Sequence, residues 1–302
     1  MLYGWLNALQ GLFAMFFSSK SGTRHNRTQC APPYRTRMQP VVQYDLSWDR
    51  QPGGPVYLPG ARLRDLSQFL RARLSPEGVL GLHLTIGAIL LIAASAVFGT
   101  IAEDVVNAEP ITLLDVRIAQ WLHLHASAGM TRWMLGVTYL HGVAGITLLS
   151  TAVGAYLWRQ RDWYWLLSLA IAVAGGSLIN IAMKYAFHRA RPSFDDPLMT
   201  LVTYSFPSGH TAGSTAFYGV IACMLISRLK TPGPRILVVL AAMFMVVLVG
   251  CSRMYLGVHY LSDVLGAIAE GAAWLALTIT TVATLRRHRH FGRESFRGAD
   301  LA

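Results

Sequence analysis

Long apolar stretches separated by short polar breaks set the pattern of this chain, and the apolar stretches have membrane-crossing length. Residues 78–102 lie between Glu77 and Glu103 and form 25 positions without a formal charge. A helix crosses the hydrocarbon core of a bilayer with about 20 apolar residues, so this is the first predicted span. The second fills 133–158 and stops at Arg159 and Arg161; the third covers 163–183 and runs into Lys184. The fourth opens at His210 and runs to Ser227, ahead of Arg228, Lys230 and Arg235. The fifth covers 236–252, and the sixth begins near His259, carries Asp263 and Glu270, and stops before Arg286 and Arg287. Between the first two spans an acidic loop holds Glu103, Asp104, Glu109 and Asp115, with a short amphipathic helix over 112–126 lying at the surface. The predicted fold is all-α: an integral membrane bundle of six transmembrane helices.

The segments outside the spans read differently. Residues 1–77 form a basic, irregular arm, broken by Pro32-Pro33 and by Pro52-Gly53-Gly54-Pro55, with one basic amphipathic helix expected near 61–73. Its first 19 residues are apolar and aromatic, but no basic residue precedes them, which disfavours a signal peptide. A surface-lying segment, or a working start at Met38, fits them better. The membrane domain spans 78–290, and 291–302 is a short tail.

Composition agrees with the pattern. The chain is 53% hydrophobic and 14% charged, whereas soluble domains carry about a quarter of charged residues. A formal charge of +11 raises the question of nucleic acid, but the arginines flank apolar runs and no nucleic-acid motif is present. Basic residues in such places orient spans and touch anionic headgroups. Cys30, Cys223 and Cys251 have no paired spacing, so neither a disulfide framework nor a zinc site follows.

Six spans place both termini on one side. The positive-inside rule makes that side cytoplasmic, with Arg159/Arg161, Arg228/Lys230/Arg235 and Arg286–Arg289 all on it. Three polar clusters then fall together at the outer ends of spans three to six. They are Lys184 through Arg191-Pro192, Pro207-Ser208-Gly209-His210, and Ser252-Arg253 followed by His259 and Asp263.

Each cluster has a physical use. His259 and Asp263 are four residues apart, one helical turn, so the carboxylate can orient the imidazole as a nucleophile. The Pro-Ser-Gly turn entering a helix offers backbone N–H groups and a positive helix end to an anion. Lys184, Arg191 and Arg253 supply fixed cations for the same anion.

With Lys-x6-Arg-Pro, Pro-Ser-Gly-His and Ser-Arg-x5-His-x3-Asp all intact, the chain resembles the type 2 phosphatidic acid phosphatase superfamily of membrane lipid phosphatases. The resemblance covers residues 78–285. It implies a metal-independent, cofactor-free hydrolase acting on a lipid phosphate or diphosphate: undecaprenyl diphosphate, phosphatidic acid or phosphatidylglycerol phosphate. It implies that His259, oriented by Asp263, forms a phosphohistidine and that His210 protonates the leaving oxygen. Lys184, Arg191, Ser208, Gly209 and Arg253 would hold the phosphoryl oxygens. It also implies a bacterial inner-membrane location with the site facing outward. The alternative is a lipid phosphotransferase with an acceptor other than water.

Several other residues are weighed and set aside. His123 and His125 read as a surface pair, His188 and Arg189 as neutral spacer, and His83 and His141 as satisfied polar groups within spans. Asn180 stands one turn before Lys184 and is a candidate to orient it. Glu270 is an intramembrane acid without an assigned role.

Overall fold

In the computed structural model, which describes residues 82–299 and the side chains of 84–287, the regular elements are all helical. The basic arm and its expected helix at 61–73 lie outside the described residues, as does the side chain of His83.

The chain opens with α1 (Leu82–Val106) and turns through α2 (Pro110–Leu124) into α3 (Ala128–Leu140) and α4 (Val143–Arg159). Next come α5 (Trp163–Ala170), a single π-helical stretch (Ile171–Gly175) and α6 (Gly176–Phe187). The last three helices are α7 (Gly209–Arg228), α8 (Pro232–Tyr255) and α9 (Leu261–Ala299). Local chemistry marks several starts. Pro110 and Pro232 occupy first-turn positions where a missing N–H costs nothing, and the Ser127 side chain accepts from Met130 N–H to cap α3. α9 runs past residue 290, so the segment expected as a tail continues the sixth helix as far as Ala299.

Among the described residues, five helical segments are long and apolar enough to cross a membrane: α1, α5 through α6, α7, α8, and α9 up to Arg287. The pair α3 and α4 makes a sixth crossing when taken as one span, bent by 52°. The sequence predicted one span over 133–158, and the bend is the correction. Its cause is local. The helix ends at Leu140, His141 and Gly142 turn the backbone, and a Cβ at Gly145 would stand 1.9 Å from the Leu140 carbonyl oxygen. Large apolar side chains such as Ile92, Leu148, Leu178 and Leu237 face outward, the surface expected of a protein whose solvent is lipid.

Apolar lipid offers little hydrophobic gain for helix association, so close packing and polar contacts must hold such a bundle. α7 is the most enclosed of the spans, packing against α8, α9 and α6. Around it Trp165, Leu169, Ala172, Phe217, Val220 and Ile279 form the main buried cluster. The π-helical stretch frees carbonyls at Ile171 and Ala172, and the Trp274 indole N–H meets them at 3.1 and 3.2 Å. A smaller cluster of Tyr255, Leu256 and Val258 sits where α8 ends, with Leu122, Met134 and Met199 packed on it. It adjoins the polar clusters picked out in the sequence.

Candidate active site

Four helix ends deliver the polar residues. Lys184 lies in the last turn of α6, which His188 closes in a left-handed conformation (φ 47°). The following loop carries Arg189 and Arg191 and returns through Ser205 to Ser208, where α7 begins. Arg253 lies in the last turn of α8. A connection over 256–260 then presents His259 ahead of α9. Gly257 adopts φ +70° in this connection, and a Cβ there would lie 2.9 Å from the Phe194 ring, so glycine is required on both counts.

His259 is 2% exposed, and its Nδ1 lies 3.3 Å from Asp263 Oδ2. The sequence placed both on one helical turn. In the structure His259 precedes the helix and Asp263 alone is in its first turn, three residues after the cap position. There Asp263 Oδ2 also accepts from the Tyr260 N–H at 2.8 Å, half of a capping box. The same oxygen accepts a short bond from Ser205 Oγ. On its other side His259 Nε2 lies 3.1 Å from Arg191 Nη1. A guanidinium only donates, so Nε2 is the acceptor and the ring proton belongs on Nδ1, toward Asp263. Burial pushes His259 down to about 3 from the ordinary histidine value, against the opposing pull of Asp263. The imidazole is neutral at physiological pH.

The cations differ in how fully they are engaged. Lys184 Nζ donates to the Tyr204 and Ser205 carbonyls at 2.8 and 3.3 Å. Arg191 reaches the Thr203, Tyr204 and Val258 carbonyls as well as His259. Burial lowers its pKa, with Asp263 opposing. Arg253 is wholly buried, yet only its Nη1 finds partners, Thr138 Oγ1 at 3.2 Å and Met199 Sδ at 3.7 Å. Its Nε and Nη2 have none. Ser252, its neighbour in the motif, bonds inward to Thr138 and to the Val249 carbonyl.

Ser208 is the cap residue of α7 and is buried. Its N–H donates to the Asp263 carbonyl at 3.1 Å, and its hydroxyl accepts from Thr211. The second cluster is thereby tied to the third. Gly209 and His210 follow in the first turn of α7, whose N–H groups have no intrahelical acceptor. His210 is half-buried, within electrostatic reach of His259, Arg191 and Arg253. Its Nε2 is 3.4 Å from where a side chain on Gly142 would begin. The bend between α3 and α4 thus lies against His210.

Two groups were missed or misread from sequence. Arg189 is no neutral spacer: its Nη1 donates to Asp263 Oδ1 at 2.5 Å and its Nη2 to Asp115 Oδ2 at 2.8 Å. Burial works to lower its pKa, but Asp263 and Asp115 outweigh that and hold it above the ordinary arginine value. Asp115 belongs to the acidic loop and short helix that the sequence places at the surface. It is 1% exposed and takes the Ser262 N–H at 2.9 Å, together with the Ser262 hydroxyl. A lone arginine between two fixed motif letters, and a lone acid on an amphipathic helix, carry no spacing that pairs them. The Asn180 side chain is directed to Glu270: its Nδ2 donates to Glu270 Oε2 at 2.9 Å and reaches the Pro207 carbonyl at 3.5 Å. His123 stacks on Phe194 and His125 on Trp121, so the two rings turn to different neighbours. His141 is bonded at both nitrogens, to the Val137 carbonyl and to Tyr218.

The apolar helices of membrane-crossing length define an integral membrane protein, with Lys184, Arg191, His210, Arg253 and His259 gathered at one set of helix ends. Residues 163–287 match the PAP2 superfamily. The chain is 30% identical over 175 residues to phosphatidylglycerophosphatase B of Bacillus subtilis, covering 58% of this chain and 86% of that protein. It is also 30% identical over 166 residues to a lipid A 1-phosphatase of Rhizobium etli, covering 51% and 66% of the two chains. The crystal structure of a transmembrane PAP2-type phosphatidylglycerolphosphate phosphatase from Bacillus subtilis superposes with a TM-score of 0.57 at 31% identity, covering 62% of this chain and 93% of that one. The chain belongs to the PAP2 superfamily.

Proposed function

We propose that this protein is a membrane lipid phosphatase that works through a phosphohistidine on His259, with neither metal nor cofactor. The observation that carries the reading is Arg253: a fully buried guanidinium with Nε and Nη2 unpartnered, at the pocket where His259 Nε2 holds a lone pair. An unpaired buried cation is costly by several kcal/mol, and a phosphoryl group supplies the missing acceptors.

In the proposed reaction the phosphoryl oxygens take hydrogen bonds from Arg253, Arg191 and Lys184 and from the Gly209 amide, with Ser208 fixing the turn. Arg191 shifts its Nη1 from His259 Nε2 to a phosphoryl oxygen, which frees the lone pair. Nε2 bonds to phosphorus as the phosphorus–oxygen bond to the lipid breaks, and protonated His210 gives its proton to the leaving oxygen. Asp263 steadies the positive imidazole through Nδ1–H. Water then attacks phosphorus, passes a proton to His210, and releases phosphate and neutral His259. Such a transfer needs positioning and charge stabilisation above all.

The proposed setting is a six-span protein of a bacterial inner membrane, both termini cytoplasmic and the site facing outward. Membrane lipids surround it, and the substrate carries a phosphate monoester or diphosphate, as in phosphatidylglycerol phosphate, phosphatidic acid or undecaprenyl diphosphate. The names of the similar proteins support a lipid phosphate in general.

The test is phosphate release from those three lipids by detergent-purified protein in EDTA, with His259→Ala as the blank. Release that the variant lacks is the expected result. Phosphate transferred to another lipid instead of water would mark a phosphotransferase, and turnover by His259→Ala would overturn the mechanism.

A further inference from the structure

We propose that Arg189 and Asp115 form a charge-balanced clamp that positions Asp263 and sets how strongly it polarises His259. The inference deepens the mechanism above and rests on His259 being the nucleophile.

The two oxygens of Asp263 divide their partners. Oδ2 serves His259 Nδ1, Ser205 Oγ and the Tyr260 N–H, while Oδ1 receives Arg189 Nη1. Arg189 therefore grips the carboxylate from the side away from the imidazole. The rest of its guanidinium is also spoken for: Nη1 reaches Ser262 Oγ at 2.7 Å, Nη2 reaches Asp115, and the plane lies over the Tyr260 ring at 4.6 Å. With its side chain 12% exposed and both terminal nitrogens bound to acids, Arg189 is not disposed toward a substrate phosphate. It is a positioning residue.

Asp115 completes the device from a different element, α2. Its side chain is fully buried, and it binds both the N–H and the hydroxyl of Ser262, the residue beside Asp263. One cation is thus shared between two carboxylates. Arg189 alone would place its whole charge on Asp263 and weaken the pull of that carboxylate on the imidazole proton. Asp115 alone would leave a second negative charge at the start of α9 and strengthen that pull. Together they hold Asp263 between those limits. A planar guanidinium offers each carboxylate its own nitrogen at a fixed spacing, whereas an ammonium has one nitrogen to share between them.

The clamp makes a prediction with two signs. Removing Arg189 raises the basicity of His259; removing the Asp115 charge lowers it. The other charged or titratable groups around His259 stay in place: Lys184 from α6, Arg191 from the loop, His210 from α7 and Arg253 from α8. His259 attacks only when neutral, so its protonation forms the acid limb of the kcat/KM profile.

The experiment follows the pH dependence of kcat/KM on phosphatidic acid for the full chain in detergent. The variants are Arg189→Met, Asp115→Asn and the two combined, with His259→Ala as control. Arg189→Met is expected to move the acid limb to higher pH by roughly half a unit or more and to cut kcat about 10- to 100-fold, with KM little changed. Asp115→Asn is expected to show no upward movement, and the double variant to fall between the singles. Arg189→Lys, which keeps the charge but loses the fixed two-nitrogen fork, is expected to shift the limb upward by less. It serves as the readout if Arg189→Met does not fold. An unmoved limb in Arg189→Met, a limb rising in both single variants, or a tenfold rise in KM at constant kcat would overturn the clamp. Turnover by His259→Ala would instead overturn the mechanism beneath it.

Discussion

Arg191 Nη1 stands 3.1 Å from His259 Nε2, and this contact defines which nitrogen of the imidazole is free to react. Because arginine can only donate, the lone pair is on Nε2 and the proton on Nδ1, facing Asp263. In the proposed mechanism the two histidines have separable roles. With p-nitrophenyl phosphate, whose leaving group needs no proton, His210→Ala is expected to phosphorylate and then stall, accumulating an acid-labile phosphoenzyme. His259→Ala forms none. Trapping with radiolabelled phosphate in quenched flow checks both, and label retained on His259→Ala would contradict the assignment.

Arg253 sets activity against stability. Its Nε and Nη2 are buried without a hydrogen-bond partner, which costs stability. Replacing a buried ionic group with an apolar one of similar size often stabilises, by about 1–4 kcal/mol. Arg253→Met is therefore expected to melt higher than the parent protein in detergent while losing turnover. Orthovanadate should raise the melting temperature of the parent and not that of the variant. A variant that melts lower would show that Arg253 holds the fold through Thr138 instead.

Asn180 and Glu270 bond to each other across α6 and α9, with Glu270 Oε1 left unpartnered. An amide in place of the acid keeps the bond, so Glu270→Gln should retain activity within a few-fold. Asn180→Leu strips the acid of its donor in a buried setting, a loss of about 1.5–3 kcal/mol if the carboxylate stays charged. Thermal melts of the two variants test the contrast; loss of turnover in a well-folded Glu270→Gln would move Glu270 into the chemistry.

His259 links stability to pH. In the folded protein it is held at about 3, against about 6.5 in an unfolded chain. Between those values the unfolded state binds the extra proton. Its contribution is thus intact above pH 6.5 and declines as pH falls toward 3, by up to about 1.4 kcal/mol per unit. Melting temperatures from pH 7 to 4 should fall more steeply for the parent than for His259→Gln. Parallel slopes would exclude His259 as the source.

The sequence by itself determined the helical membrane architecture and its family, because span length and the three motif spacings are properties of consecutive residues. Lys184, Arg191, Ser208, Gly209, His210, Arg253, His259 and Asp263 are candidates for the same reason: residue type and local interval mark them. What only the tertiary structure decided lies between segments. The placement of His259 before α9 depends on the turn at Gly257. The pairing of Arg189 with Asp115 joins residues 74 positions apart, and that of Asn180 with Glu270 joins residues 90 apart. Periodicity records which face of a helix is apolar, but it does not record which polar group on another helix will meet it. Burial decides that, since a charge or amide withdrawn from water must find its partner wherever the fold supplies one.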